Sequence, residues 1–262
     1  MEISKKQISF LITHYNRPDD LAKCLAAIRS LNIQDSEIVV CDDASQERHL
    51  KIIQDYQIDQ LIVAEVNQGL AANINNGVVA CQGEYIVYCQ EDFILNPKVI
   101  QILPECLGLL KDEKVDMIRF TSNSVFNKLI PLTATISLIP KFSFRNFYLN
   151  FYQYSDHPFV TTKSFYDKYG TYLENTSGRY GETEYAIRIL KSNAKIGITN
   201  NRFASTIEGS FSVLINESIG ANNEFKVNKK WIKIARALRL YLELVLYDKS
   251  KRGLITYKNF RK

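Results

Sequence analysis

The chain has 262 residues, 46% hydrophobic and 23% charged, an ordinary composition for a folded domain. Disorder, collagen and coiled coil are excluded as whole-chain readings. The formal charge of +5 hides an asymmetry: residues 226–262 carry twelve Lys and Arg against two acids, while the rest carries 21 bases and 26 acids. A mildly acidic body with a basic tail suggests an anionic surface as partner, a membrane rather than nucleic acid, because no nucleic-acid-binding motif is present. No apolar run approaches the ~20 residues of a spanning helix, and the N-terminus lacks a signal-peptide core. The expected location is the cytoplasm, with peripheral contact to the inner face of its membrane. The five cysteines are odd in number and sit among apolar neighbours. They read as buried free thiols.

In chain order, Ile8–Thr13 is a short apolar strand, and Pro18-Asp19-Asp20 opens a helix with proline and acids in its first turn. Glu37–Cys41 is a second strand ending at Asp42-Asp43, followed by a weak helix to about Tyr56. Gln60–Ala64 is a third strand and residues 70–80 a helix. Glu84–Cys89 is a fourth strand ending at Gln90-Glu91-Asp92. Pro97–Leu110 is a helix, and Val115–Phe120 a fifth strand. Strands alternating with helices predict βαβ units and a parallel sheet. Ligands of such sheets bind beyond the carboxyl ends of the strands. Polar clusters stand at successive ends: Thr13–Asn16, Asp42-Asp43, Asn67-Gln68-Gly69 and Gln90–Asp92.

Residues 142–169 hold eleven aromatics, most of them expected to pack in the core. Thr162–Tyr169 reads as a helix closed by Gly170. Gly178–Gly181 reads as a turn leading into a helix over Glu182–Leu190, with acids in its first turn. From Lys229, apolar residues from Trp231 to Val245 alternate with bases at 230, 233 and 236. This predicts an amphipathic helix with a basic face. The expected domains are residues 1–225, divided into a nucleotide-binding half (1–120) and an acceptor-binding half (121–225), and a helical tail over 226–262.

These segments together resemble the family 2 glycosyltransferases of the GT-A fold. SFLITHYNRPDDLAKCLAAI is similar to the family's opening strand, loop and helix, EIVVCDDAS to its second strand, and NQGLAANINNG to its Asn-x-Gly segment. YIVYCQEDFILNP resembles the strand that ends in DxD, and GETEYAIRIL the helix that carries the catalytic base. The resemblance implies a Rossmann-like α/β fold with a mostly parallel central sheet flanked by helices. It also implies inverting transfer of a sugar from a nucleotide-diphosphate donor, UDP-sugar favoured, to a hydroxyl of a glycan or lipid-linked acceptor. A bacterial surface polysaccharide is the expected product.

By the same resemblance the donor lies on Thr13, Tyr15, Asn16, Arg17, Asp42, Asp43, Asn67, Gly69, Asn75, Gln90 and Glu91. Asp92 is the expected ligand of a Mg²⁺ or Mn²⁺ ion, which takes oxygen ligands and needs only one or two protein carboxylates. Glu182 falls on the family's base and Glu184 on the following acid; both are candidate catalytic groups. His157 is a candidate acceptor contact. Gln90 replaces the first Asp of DxD. Thr206, within Arg202–Gly209, stands where many members have a metal-binding His. Those two departures support the alternative of a non-catalytic glycan- or partner-binding module. A nucleotidyltransferase is disfavoured by the lack of a Gly-rich phosphate loop, and a glycoside hydrolase has no use for the strand-end clusters.

Overall fold

A computed structural model of the chain describes residues 6–175, 178–207, 229–248, 251–252 and 255–256. Strand β1 (Ile8–His14) leads to helix α1 (Pro18–Ser30), β2 (Ser36–Asp42), α2 (Glu47–Gln54), β3 (Gln60–Val63), α3 (Leu70–Ala80) and β4 (Tyr85–Gln90). Then follow β5 (Phe93–Leu95), α4 (Val99–Lys111), β6 (Met117–Arg119), β7 (Ile130–Pro131) and β8 (Ile136–Leu138). The chain continues through β9 (Phe159–Thr162), α5 (Ser164–Tyr169), α6 (Gly178–Lys191), β10 (Ile196–Thr199), β11 (Ala204–Thr206) and α7 (Lys229–Val245).

Nine strands form one sheet in the order β3-β2-β1-β4-β9-β6-β10-β8-β7. β9 is antiparallel to both β4 and β6, and β8 to both β10 and β7, so these two run against the other seven. The two expected halves thus share a single sheet. The boundary expected at residue 225 lies outside the described residues.

β1, β2 and β4 are buried on both faces, as parallel strands covered by crossover helices must be, while β3 at the edge of the sheet is only half-buried. Side-chain alternation along β1 divides the core. Phe10 and Ile12 join α1 and α4 residues such as Leu21, Leu25 and Leu103 on one face, and Leu11 joins Ile74, Val78 and Tyr88 on the other. All five cysteines are buried free thiols. Burial pushes Cys41, Cys81 and Cys106 up to about 12.

The structure departs from the sequence expectations at the start of α6 and adds to them in two other places. α6 begins at Gly178, so the expected turn is its first helical turn. β11 is a short strand that pairs antiparallel with β5 and sets Thr206 opposite Phe93. α7 packs on the body through Leu240, which joins Phe151 and Ile187, and Ala237 is buried too, so the face centred on Trp231 is not its buried face.

Candidate active site

Strand order reverses between β1 and β4, because β1 continues to β2 on one side while β4 opens the other half of the sheet. Such a switch point leaves a crevice at the strand ends. The register fills it with the expected residues: Thr13 lies beside Gln90, and His14 beside Asp42.

At the end of β1, Thr13 Oγ1 is 3.2 Å from the Tyr88 hydroxyl. His14 is fully buried, and its Nε2 accepts the Arg17 amide at 3.1 Å. Nδ1 therefore carries the hydrogen and donates to Asp42 Oδ2 at 2.7 Å. Asp42 also accepts the Ser45 amide and hydroxyl. These donors hold its carboxyl below the usual range against the opposing effect of burial. Asn16, at φ 57°, takes a left-handed conformation that Asn tolerates. Its amide donates to Ser45 Oγ, and its Oδ1 accepts from the Gln46 amide and lies 2.9 Å from His49 Nδ1. Asn16 and Asp42 thus clamp the β1 and β2 loops together, while Tyr15 stays half-buried beside them.

Asp43 bridges to the third cluster. Its two oxygens accept the Gln68 and Gly69 amides at 2.7 and 2.8 Å, and Asn67 Nδ2 donates to its carbonyl. Gly69 sits at φ 86°, where a side chain would be strained, and opens α3. Asn75 points elsewhere. It donates to the Tyr172 carbonyl and Glu174 Oε1 and accepts the Tyr172 amide, which pins the 170–175 loop to α3. Asn73, two residues earlier and on the other side of the helix, reaches the strand ends instead by donating to the Cys41 carbonyl at 2.9 Å.

At the end of β4, Arg17 lies over two acids, 4.0 Å from Glu91 and 3.5 Å from Asp92. Burial and the neighbouring Asp92 push Glu91 up to about 8. Burial also raises Asp92, although Arg17 opposes the shift. Asp92 Oδ1 is buried with no hydrogen-bond partner among the described residues. An orphaned anionic oxygen fits a single protein ligand to a hard divalent ion whose other ligands are phosphate and water. No group of three or more His, Cys, Asp or Glu that could hold a metal exists among the described residues.

β9 brings residues that strand-end reasoning missed. Because it runs antiparallel, its beginning rather than its end lies beside the end of β4. Gln90 Nε2 is 3.5 Å from the Asp156 carbonyl. Asp156 is a close neighbour of Glu182. Beneath them Arg119, fully buried, donates to the Tyr152 and Gln153 carbonyls and to Ser155 Oγ. Burial lowers Arg119 to about 10, and Glu182 and Asp156 draw it back up. Glu182 is raised in turn by burial and then by Asp156. His157 Nε2 is 3.3 Å from Asn123 Nδ2, and its ring lies against Phe93. A cavity of about 170 Å³ adjoins them, lined in part by Phe93, Thr121, Asn123, Arg202 and Thr206.

Glu184 has a different fate from Glu182. Its carboxylate is fully buried, accepts Arg188 Nε and Nη2 at 3.0 and 2.6 Å, and also accepts the Tyr247 hydroxyl at 2.6 Å. Arg188 continues to the Thr171 carbonyl and stacks on the Tyr185 ring. The two acids of the motif therefore sit in separate networks.

The model of glycosyl transferase family 2 matches residues 9–169, more than half of the chain. The chain belongs to glycosyl transferase family 2. It is a glycosyltransferase, and the matched span includes the β1, β2 and β4 strand ends just described. Solved structures share the fold. One is S. aureus TarS 1-349 in complex with UDP-GlcNAc, with a TM-score of 0.63 at 14% identity, covering 94% of this chain and 68% of that one. Another is the mannosyltransferase PcManGT from Pyrobaculum calidifontis in complex with GDP-Man and Mn²⁺, with a TM-score of 0.56 at 12% identity, covering 92% of this chain and 64% of that one. No curated protein matches the chain.

Proposed function

We propose that this glycosyltransferase transfers a sugar with inversion from a nucleoside-diphosphate donor, UDP-linked sugar favoured, to a hydroxyl of a glycan or lipid-linked acceptor. Synthesis of a bacterial surface polysaccharide is the setting the reading favours. The observation that carries it is the Asp156–Glu182 carboxyl pair, which stands across the β4–β9 edge from the Thr13, Gln90 and Asp92 crevice. Nucleotide sugars in the TarS and PcManGT complexes support the donor class.

The base and ribose of the donor would lie along Thr13, Tyr15, Asn67 and Gln90, in a cradle braced from behind by Asp42, Asp43 and Asn16. Arg17 offers positive charge to the diphosphate. Asp92, with Glu91 beside it, would hold Mg²⁺ or Mn²⁺, and Mn²⁺ in the PcManGT complex supports that choice. Such an ion, when bound, offsets the charge that develops on the leaving diphosphate. Glu182, as carboxylate, accepts the proton of the acceptor hydroxyl while that oxygen bonds to the anomeric carbon. The bond between that carbon and the phosphate oxygen breaks on the opposite face. Asp156 and Arg119 orient Glu182, and His157 with the adjoining cavity would receive part of the acceptor.

The test measures nucleoside-diphosphate release from UDP- and GDP-sugars with and without Mn²⁺. Thermal shift by the free diphosphates runs in parallel. Metal-dependent release with one donor, lost in Glu182→Gln and Asp92→Asn, is the expected result. Binding of a nucleotide without turnover under any condition would favour the binding-module reading.

A further inference from the structure

We propose that the outer face of α7 and the aromatic loop over residues 142–148 form one surface that docks on an anionic lipid bilayer. α7 carries two apolar stripes. One, through Leu240 and Leu244, packs on Phe151 and Ile187 of the body. The other is Trp231, Leu238, Leu242 and Val245, spaced by seven, four and three residues and so aligned along one face. All four are exposed, Trp231 by 66% and Val245 by 77%.

The stripe has neighbours on both sides. Arg236 and Arg239, both exposed, lie on the side of the helix away from Tyr241, with Arg239 paired to Glu243, and Lys233 is exposed near the start of the helix in line with the buried stripe. On the other side Tyr241 forms the seam. Its ring stacks on Phe147 at 4.8 Å and lies 6.4 Å from Phe142, whose own partner is Phe144. Phe144 is 85% exposed and Phe142 50% exposed, next to the exposed Arg145.

Protruding Trp and Phe rings bordered by bases match a bilayer interface, where rings enter the acyl boundary and bases meet phosphate headgroups. A protein partner of the same chemistry would need an acidic rim around a broad apolar face. A bilayer supplies both without shape complementarity. The basic excess of the tail fits an anionic leaflet, where each Lys or Arg near the surface strengthens binding about fivefold. No helix among the described residues is long and apolar enough to cross a membrane, so the contact lies on the surface rather than through it.

The full chain contains one tryptophan, Trp231, which makes its fluorescence a reporter of this surface. The experiment titrates vesicles of phosphatidylcholine alone and of an equimolar mixture with phosphatidylglycerol, and reads the Trp231 emission and co-sedimentation. The expected result is a blue shift and sedimentation with the anionic vesicles only, weakened by salt. Arg236→Glu with Arg239→Glu should weaken binding tenfold or more, as should Phe144→Ser with Leu238→Ser. Both pairs are exposed, and an unchanged melting midpoint checks that they fold. Sedimentation that ignores both pairs, or no sedimentation with either vesicle, overturns the proposal. So does a wild-type dimer in light scattering that the Phe144→Ser, Leu238→Ser variant converts to monomer, since the face then belongs to a second copy.

Discussion

Glu182 and Glu184 are two residues apart and belong to different chemistries. Glu182 is raised by burial and by Asp156, so as a base it becomes competent only as pH rises through that elevated value. Glu182→Gln should lower kcat about 100-fold or more, with donor affinity unchanged in a titration by thermal shift. Asp156→Asn removes a neighbouring negative charge, so the acid limb of the kcat profile should move to lower pH. An unmoved limb would separate Asp156 from the base. Glu91 gives a stability prediction of defined sign. Its carboxyl is pushed up from 4.5 to about 8 in the folded state, so the folded chain holds a proton that the unfolded chain releases. The stability it contributes is full below 4.5 and is lost as pH rises toward 8. Glu91→Gln should therefore flatten the fall in melting midpoint between these pH values, measured without added metal.

At the scale of elements, α3 holds two loops at once. Asn73 ties its first turn to the β2 end, and Asn75 ties it to the 170–175 loop that precedes α6. Asn75→Ala leaves the buried Tyr172 amide and carbonyl without partners and should cost about 1–3 kcal/mol in chemical denaturation. If the 170–175 loop positions α6, the same variant should also lower kcat. α6 itself carries Glu182 toward the crevice and Glu184 toward α7, because residues two apart on a helix point to different sides. Glu184→Gln breaks a buried ion pair with Arg188 and should destabilise by about 3 kcal/mol, while kcat per folded molecule stays near wild type. The opposite outcome, full stability with lost turnover, would return Glu184 to the catalytic set.

At the scale of the molecule, one sheet interleaves the strands of both expected halves, and β9, from residues 121–225, sits between β4 and β6, both from residues 1–120. Its insertion between β4 and β6 brings Ser155–His157 to the end of β4 and lays Arg119 beneath that segment. A chain with β9 paired elsewhere would keep the donor crevice and lose the carboxyl pair. α7 closes the other side of the body. Its Tyr241 hydroxyl both accepts from Asn150 Nδ2 and donates to the Phe147 carbonyl, and just past its end the Tyr247 hydroxyl reaches Glu184. Tyr241→Phe should therefore loosen α7, read as faster proteolysis near residues 229–248, with the sheet core intact.

Much of this was legible before any coordinates. Strand–helix alternation through Gln90, the polar clusters at the strand ends and the amphipathic character of residues 229–245 are local patterns, set by side-chain periodicity and by the polarity of residues where strands stop. The direction of β9 was not legible, because four residues, Phe159–Thr162, pair as readily with either orientation until their neighbours are known. Nor was the division of labour among polar residues. Asp42, Asp43 and Asn16 read as donor contacts, yet each is engaged by loops that are distant in sequence. Asp156 and Arg119 carried no motif, since their pairing with Glu182 arises from strand order. The tail showed one apolar face by its spacing, and tertiary packing selected another for burial, because Phe151 and Ile187 offered a matching apolar surface on the body.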